Sequence, residues 1–148
     1  MPAAVVYPTS PNQIAEALLC ASGAGIKVAV RSGGHSYASY STTEGSLVID
    51  LGAFRAIVMN SDQSASVGAG NKLGDVALGL SEHGRATAHG TCPMVGVGGH
   101  ATGGGFGLPS RQWGLMLDNV LGALRLLHAS CLAYSVMQLW MLSSQTEQ

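Results

Sequence analysis

Charge is scarce in this sequence. Asp, Glu, Lys and Arg make up 10% of its 148 residues and sum to a formal −1 at pH 7. That balance gives no electrostatic footprint for nucleic acid or for an anionic membrane surface, so neither is expected as a partner. Cysteine is scarce too, with Cys20, Cys92 and Cys131 the only three and no Cys-x-x-Cys pair among them. This spacing excludes a zinc framework and a disulfide scaffold, and the odd count leaves at least one thiol free. His35, His89, Cys92 and His100 have no recognised ligand spacing, so no metal site is expected. Long apolar runs are also missing. Leu121 to Leu142 comes nearest, but Arg125, His128 and Gln138 break it, which argues against a membrane span. Met1 to Ser10 lacks a basic segment followed by an apolar one, so no secretion leader is read there.

What the chain does have is apolar residues, at 47%, and 21 glycines. The first suffices for one domain with a proper core at this length. The second means a backbone that turns sharply or comes close to something. Val5 to Tyr7 reads as a short strand. Ser10-Pro11-Asn12-Gln13 announces a helix, with Ser as cap, Pro at the first helical position and Gln placed to reach back as in a capping box. Ile14, Ala17, Leu18 and Ala21 share its apolar face, and Gly23 and Gly25 end it. Ile26 to Arg31, Leu47 to Leu51 and Ala65 to Gly68 read as strands. Leu73, Val76, Ala77 and Leu80 mark a second helix, with Asn71 as its expected cap, Gly84 as its stop and Gly74 and Gly79 as awkward interior residues. Arg85 to His89 suggests a brief strand, and from Gly90 to Gly107 no periodicity of either kind is expected to survive. Short helices and strands in alternation favour an α+β domain.

Two segments carry the chemistry. One is Arg31-Ser32-Gly33-Gly34-His35-Ser36-Tyr37. The other is Gly90-Thr91-Cys92-Pro93, followed by Val95-Gly96-Val97-Gly98-Gly99-His100 and then by Gly103-Gly104-Gly105-Phe106-Gly107. Successive glycines let main-chain N–H groups converge on phosphate oxygens without side chains in the way. Each segment also carries one reactive side chain, His35 in the first and Cys92 in the second. Taken singly, such a His or Cys is more often structural; it is the pairing of two such loops that points to function. Gly96 to Ala101 also fits the Gly-x-Gly-x-x-Ala dinucleotide fingerprint, but the following Thr102-Gly103-Gly104-Gly105 is hostile to the helix that fingerprint requires. A P-loop is excluded because Lys72 lacks the preceding glycine loop and the following Ser or Thr.

Arg31 to Tyr37, Gly90 to Pro93 and Val95 to His100 closely resemble the motifs of berberine-bridge-like oxidases, which belong to the vanillyl-alcohol-oxidase superfamily. The likeness is greatest to the fungal oligosaccharide oxidases that act on glucose- or chitin-derived sugars, and it covers about Ala4 to Ala123. The resemblance implies an α+β, PCMH-type FAD-binding domain of two α+β subdomains, here incomplete, over residues 1–123. It also implies a bicovalent FAD, with His35 bonded to the flavin 8α-methyl and Cys92 to C6. Ser32, Gly33, Gly34, Ser36 and Val95 to Gly99 would hold the pyrophosphate through their N–H groups, and Gly103 to Gly107 would let the backbone lie against the cofactor. Arg31, Tyr37, Gly90, Thr91 and His100 complete the implied cofactor site.

The implied reaction is oxidation of a sugar hydroxyl to a lactone, with O2 reduced to hydrogen peroxide. It needs a general base, which relatives supply as a Tyr from their C-terminal part; no base is expected within this chain. Extracellular location follows by resemblance only. Both ends depart from the family pattern, and residues 124–148 read as a divergent apolar tail in which Tyr134 matches no motif. The chain is expected to be too short for the complete enzyme, with a shifted reading frame after about Ala123. A flavin-binding pseudoenzyme and an inactive gene fragment are therefore alternative readings.

Overall fold

Ser10 starts the first helix as its chemistry suggests. Its side chain accepts the Gln13 N–H at 3.4 Å, and Pro11 fills the first helical position, where no N–H is missed. Gln13 reaches back to the Thr9 N–H at 2.7 Å rather than to Ser10, so the box closes one residue early. The computed structural model describes the backbone of residues 1–128, 131–142 and 144–145, and side chains as far as Leu124. Helix α1 (Pro11–Gly23) joins strand β1 (Ala4–Val6) to β2 (Val28–Arg31), and β3 (Leu47–Asp50) follows. The three strands form a parallel sheet in the order β1-β3-β2. On it Ile14 and Leu18 of α1 pack with Ile49, Leu51 and Ala69 as one buried cluster.

The second half builds a separate core. Strands β4 (Ile57–Met59) and β5 (Ser64–Gly68) make an antiparallel hairpin. At its turn Asp62 accepts the Ser64 hydroxyl at 2.7 Å and the Ser64 N–H at 3.0 Å, bonds that hold its carboxyl below the usual range. Helix α2 (Leu73–Ser81) buries Leu73, Val76 and Leu80. They meet Ala65, Val67, Val97, Ala101 and Met116. The expected cap, Asn71, is instead buried and donates to the Gly68 carbonyl at 2.9 Å, while Lys72 holds the cap position. The awkward glycines of α2 have a steric reason. A Cβ on Gly74 would stand 2.9 Å from Pro93 Cβ, and one on Gly79 3.0 Å from Ile57 Cδ1.

The expected strand at Arg85 to His89 shrinks to β6 (Arg85–Ala86). Helix α3 (Val97–Thr102) corrects the expectation that no periodic element survives among the glycines: Val97 and Ala101, four apart, are both buried. Gly103 ends it after six residues, so the glycine run shortens the helix instead of forbidding it. Helix α4 (Ser110–Trp113) and a 3-10 turn at Leu117–Asn119 then lead to β7 (Val120–His128). Strand β8 (Cys131–Leu142) pairs antiparallel with both β5 and β7, giving the sheet order β4-β5-β8-β7, and β9 (Ser144–Gln145) pairs with β6. The expected boundary after Ala123 thus falls within β7. The side chains of Cys131 and Tyr134 lie outside the described residues. Two helix-on-sheet cores are the two α+β subdomains that the resemblance implied.

Candidate functional site

The site forms where the two cores meet. Loop one leaves β2 at Arg31, whose guanidinium Nε donates to Asp50 at 2.5 Å. That bond, and then the charge of Asp50, hold the Arg31 pKa above its ordinary value. The next residue ties the loop to the second core, because Ser32 Oγ donates to the Ala69 carbonyl at 2.6 Å. Loop two runs from Gly90 into α3. Two contacts lock it to loop one. Gly33 and Gly96 interleave so closely that a Cβ on Gly33 would lie 2.5 Å from Gly96 N. The His35 imidazole Nε2–H donates to the Met94 carbonyl at 3.2 Å.

The resulting groove has three connected parts. A cavity of about 300 Å³ is lined by Gly33, Gly34, His35 and Ser36 of loop one and by Val95, Gly96, Gly99 and His100 of loop two. On one side it shares Ser41 and Gly99 with a cavity of about 190 Å³ floored by Val30 and Leu51. On the other it shares Val95 and His100 with one of about 380 Å³ that holds Thr91, Cys92, Phe106 and Leu108. Among the described residues, the N–H groups of Gly33, Gly34, His35, Ser36, Gly98 and Gly99 have no protein acceptor. The Gly98 group is buried. Free donors converging beside a groove are the fit an anionic, extended ligand requires.

Not every expected residue comes to this groove. Tyr37 is fully exposed and lines none of the three cavities. Gly103, Gly104 and Gly105 form the turn that ends α3, and of the glycines in that run Gly107 alone, among the described residues, lines the groove. Seven lining residues were not read as site residues from the sequence: Val30, Ser41, Leu51, Leu73, Thr102, Phe106 and Leu108. Phe106 and Leu108 carried a legible signal, being large apolar residues set in a glycine run, and both are largely exposed. Ser41 sat in an unpatterned polar stretch.

His100 organises the cysteine loop. Its Nε2 accepts the Gly90 N–H at 3.0 Å, which requires the unprotonated ring nitrogen. Burial, and secondarily the neighbouring His89, push its pKa below the usual histidine value. The unfolded chain takes up this proton near pH 6.5, whereas the folded chain refuses it until a lower pH. The stabilisation is therefore complete above the ordinary histidine pKa, declines as the pH falls below it, and is lost once the pH has fallen through the lower folded pKa. Denaturant midpoints should drop between pH 7 and pH 5. The drop should be smaller in His100→Gln, whose amide oxygen can accept the same N–H at either pH; equal drops would remove His100 as a source.

The FAD binding domain family matches residues 2–130. Chitooligosaccharide oxidase of Gibberella zeae is 42% identical over 125 residues, 82% of this chain and 25% of that protein. Glucooligosaccharide oxidase of Sarocladium strictum gives the same figures, 42% over 125 residues, 82% and 25%. A solved structure of glucooligosaccharide oxidase from Acremonium strictum, described as carrying a 6-S-cysteinyl, 8α-N1-histidyl FAD, superposes with a TM-score of 0.90 at 31% identity. It covers 97% of this chain and 35% of that one. The chain thus spans about a quarter of the length of these curated relatives.

Proposed function

The chain belongs to the FAD-binding-domain family of the berberine-bridge-like oxidases, and from that membership we propose that it is the flavin-holding portion of a carbohydrate oxidase. The observation that carries this reading is the joining of the His35 loop to the Cys92 loop along one groove lined with free N–H donors. Bound FAD would supply a two-electron acceptor able to take hydride from a sugar carbon and to be reoxidised by O2. The N–H groups of Gly33 to Ser36, Gly98 and Gly99 would hold its diphosphate, with Arg31 and Gly103 to Gly107 shaping the loops around it, whereas those expected of Val95 and Val97 are spent on the Cys92 and Asn71 carbonyls.

His35 and Cys92 would hold the flavin covalently, His35 at the 8α-methyl and Cys92 at C6. Their surroundings favour this. The Met94 carbonyl can only accept, so the His35 proton sits on Nε2 and the Nδ1 lone pair is left as a nucleophile. Cys92 is a free, exposed thiol at the groove's far end, as a thiolate nucleophile must be. Two tethers on separate loops fix the ring system in orientation and in depth. Phe106 and Leu108 beside Cys92 offer it an apolar face.

Sugar-hydroxyl oxidation to a lactone, with release of hydrogen peroxide, is the activity proposed for the whole protein, and its setting is extracellular. Among the described residues no helix is long and apolar enough to cross a membrane. The general base is assigned outside the groove, because its described lining contains no Tyr, Asp or Glu. A binding role without turnover is the second reading, and that same lining favours it. Intact mass of the purified chain under denaturing conditions, after expression with FAD, tests the proposal: a gain of one FAD is expected. An unmodified mass would refute the covalent site, while oligosaccharide-dependent peroxide release would dismiss the second reading.

A further inference from the structure

Lys72 touches both loops. Its backbone forms an antiparallel bridge to Gly96, and the next two residues continue the contact, Leu73 N–H to Val95 O at 2.9 Å and Gly74 N–H to Pro93 O at 3.0 Å. Residues 72–74 are thus a rail along which loop two lies. The Lys72 side chain turns the other way and donates from Nζ to the Ser32 carbonyl of loop one at 3.0 Å, in a half-buried setting. Asp75, the nearest carboxylate in sequence, is engaged instead with the Lys72 backbone N–H at 3.3 Å. Among the described residues no ion pair neutralises the ammonium.

The position of that bond has a consequence for Gly33. In a trans peptide the carbonyl and the following N–H point in opposite directions, and no described peptide bond is cis. Anchoring the Ser32 carbonyl on Lys72 therefore turns the Gly33 N–H away from Lys72, and that N–H is one of those with no protein acceptor. A bond from a charged donor holds a peptide more firmly than a neutral one. Loops rich in glycine need such a hold, since their own backbone barriers are low.

We propose that Lys72 is a positioning residue for capture of the FAD diphosphate. Its ammonium fixes the Ser32–Gly33 peptide with the Gly33 N–H free for an anion, and its unneutralised charge raises the potential behind loop one. The inference rests on the FAD reading above and adds to it a residue outside both glycine motifs.

The test is the rate of FAD capture by the purified, flavin-free full chain, followed by denaturing mass, for wild type, Lys72→Met and Lys72→Arg. Loss of one charge-assisted bond should slow K72M about tenfold at low ionic strength. The deficit should shrink as salt screens the charge in wild type. K72R should recover most of the rate, which loss of a merely apolar packing contact would not allow. K72M capture at the wild-type rate, or a deficit that is independent of salt and not rescued by Arg, overturns the proposal. Should K72M fail to fold, Lys72→Gln removes the charge while keeping a donor, and a wild-type rate in that variant overturns it equally. A wild-type chain that captures no FAD overturns the FAD reading and this inference with it. Capture by wild type with unaltered variants overturns this inference alone.

Discussion

Chains carrying both His35→Ala and Cys92→Ala should lose all covalent flavin, while each single variant should keep one FAD through the remaining tether. The expectation follows from where the residues stand. His35 belongs to the loop that leaves β2, and Cys92 to the loop that precedes α3, so neither side chain is positioned by the other. The His35–Met94 bond and the Gly33–Gly96 contact join the loops at this end, and neither involves the Cys92 sulfur. Removing the thiol therefore leaves the His35 tautomer and its Nδ1 lone pair intact. Removing the imidazole costs the bond to Met94, two residues from Cys92, so H35A should slow attachment at Cys92 as well as abolish its own. In the double variant FAD is held by diphosphate contacts alone and should leave on dialysis, because a tether keeps its ligand at high effective concentration whatever the affinity. Denaturing mass spectrometry of the three variants reads the result directly. A double variant that still carries the mass of FAD would place the attachment on other residues.

Much of the fold was legible because it depends on local chemistry. The Ser10-Pro11 start, the Ile14/Leu18 face and the Val28 and Leu47 strands follow from capping and periodicity, and the structure has each within a residue or two. Strand β4 escaped because its three residues, half-buried, exposed and half-buried, are too few to show alternation. Helix α3 escaped for a different reason. Its propensity is poor, with Gly98 and Gly99 inside six residues, and it persists because Val97 and Ala101 are buried against Leu73, Val76 and Met116. Tertiary packing overrode propensity there.

The site was legible in composition but not in assembly. Both glycine loops and their reactive residues stand out along the chain, yet nothing in the sequence says that Gly33 meets Gly96 or that His35 reaches Met94. Those contacts join residues about sixty positions apart and arise only once the two cores dock. Lys72 was invisible for the same reason: read along the chain it is a lysine that fails a P-loop pattern, and its partner Ser32 lies 40 residues away.

That docking makes Gly96→Ala a damaging substitution where the two loops interleave. The added Cβ would overlap Ser32 Oγ and Gly33 N and would lie 2.7 Å from Gly33 Cα. Two of the three obstacles are backbone, so no rotamer change relieves them. The loops must part, and with them go the Ser32–Ala69 bond and the Lys72–Gly96 bridge. Overpacking of this kind costs about 1–3 kcal/mol, and each lost hydrogen bond adds about 1 kcal/mol. A fall of roughly 3–5 kcal/mol in unfolding free energy is expected, together with loss of FAD capture. Gly99→Ala supplies the contrast. Nothing lies within 4 Å of a Cβ there, its φ is not positive, and the residue sits inside α3. Helix propensity then favours alanine by up to about 1 kcal/mol, so G99A should be as stable as wild type or more so. Yet Gly99 lines two of the three cavities with an unpaired N–H, and its new methyl would stand where the ligand backbone must approach. Stability and capture should therefore fall together in G96A and separate in G99A. Urea midpoints of the flavin-free chains, set beside their rates of FAD uptake, decide it: a G96A midpoint equal to wild type would mean that the two loops are not packed as described.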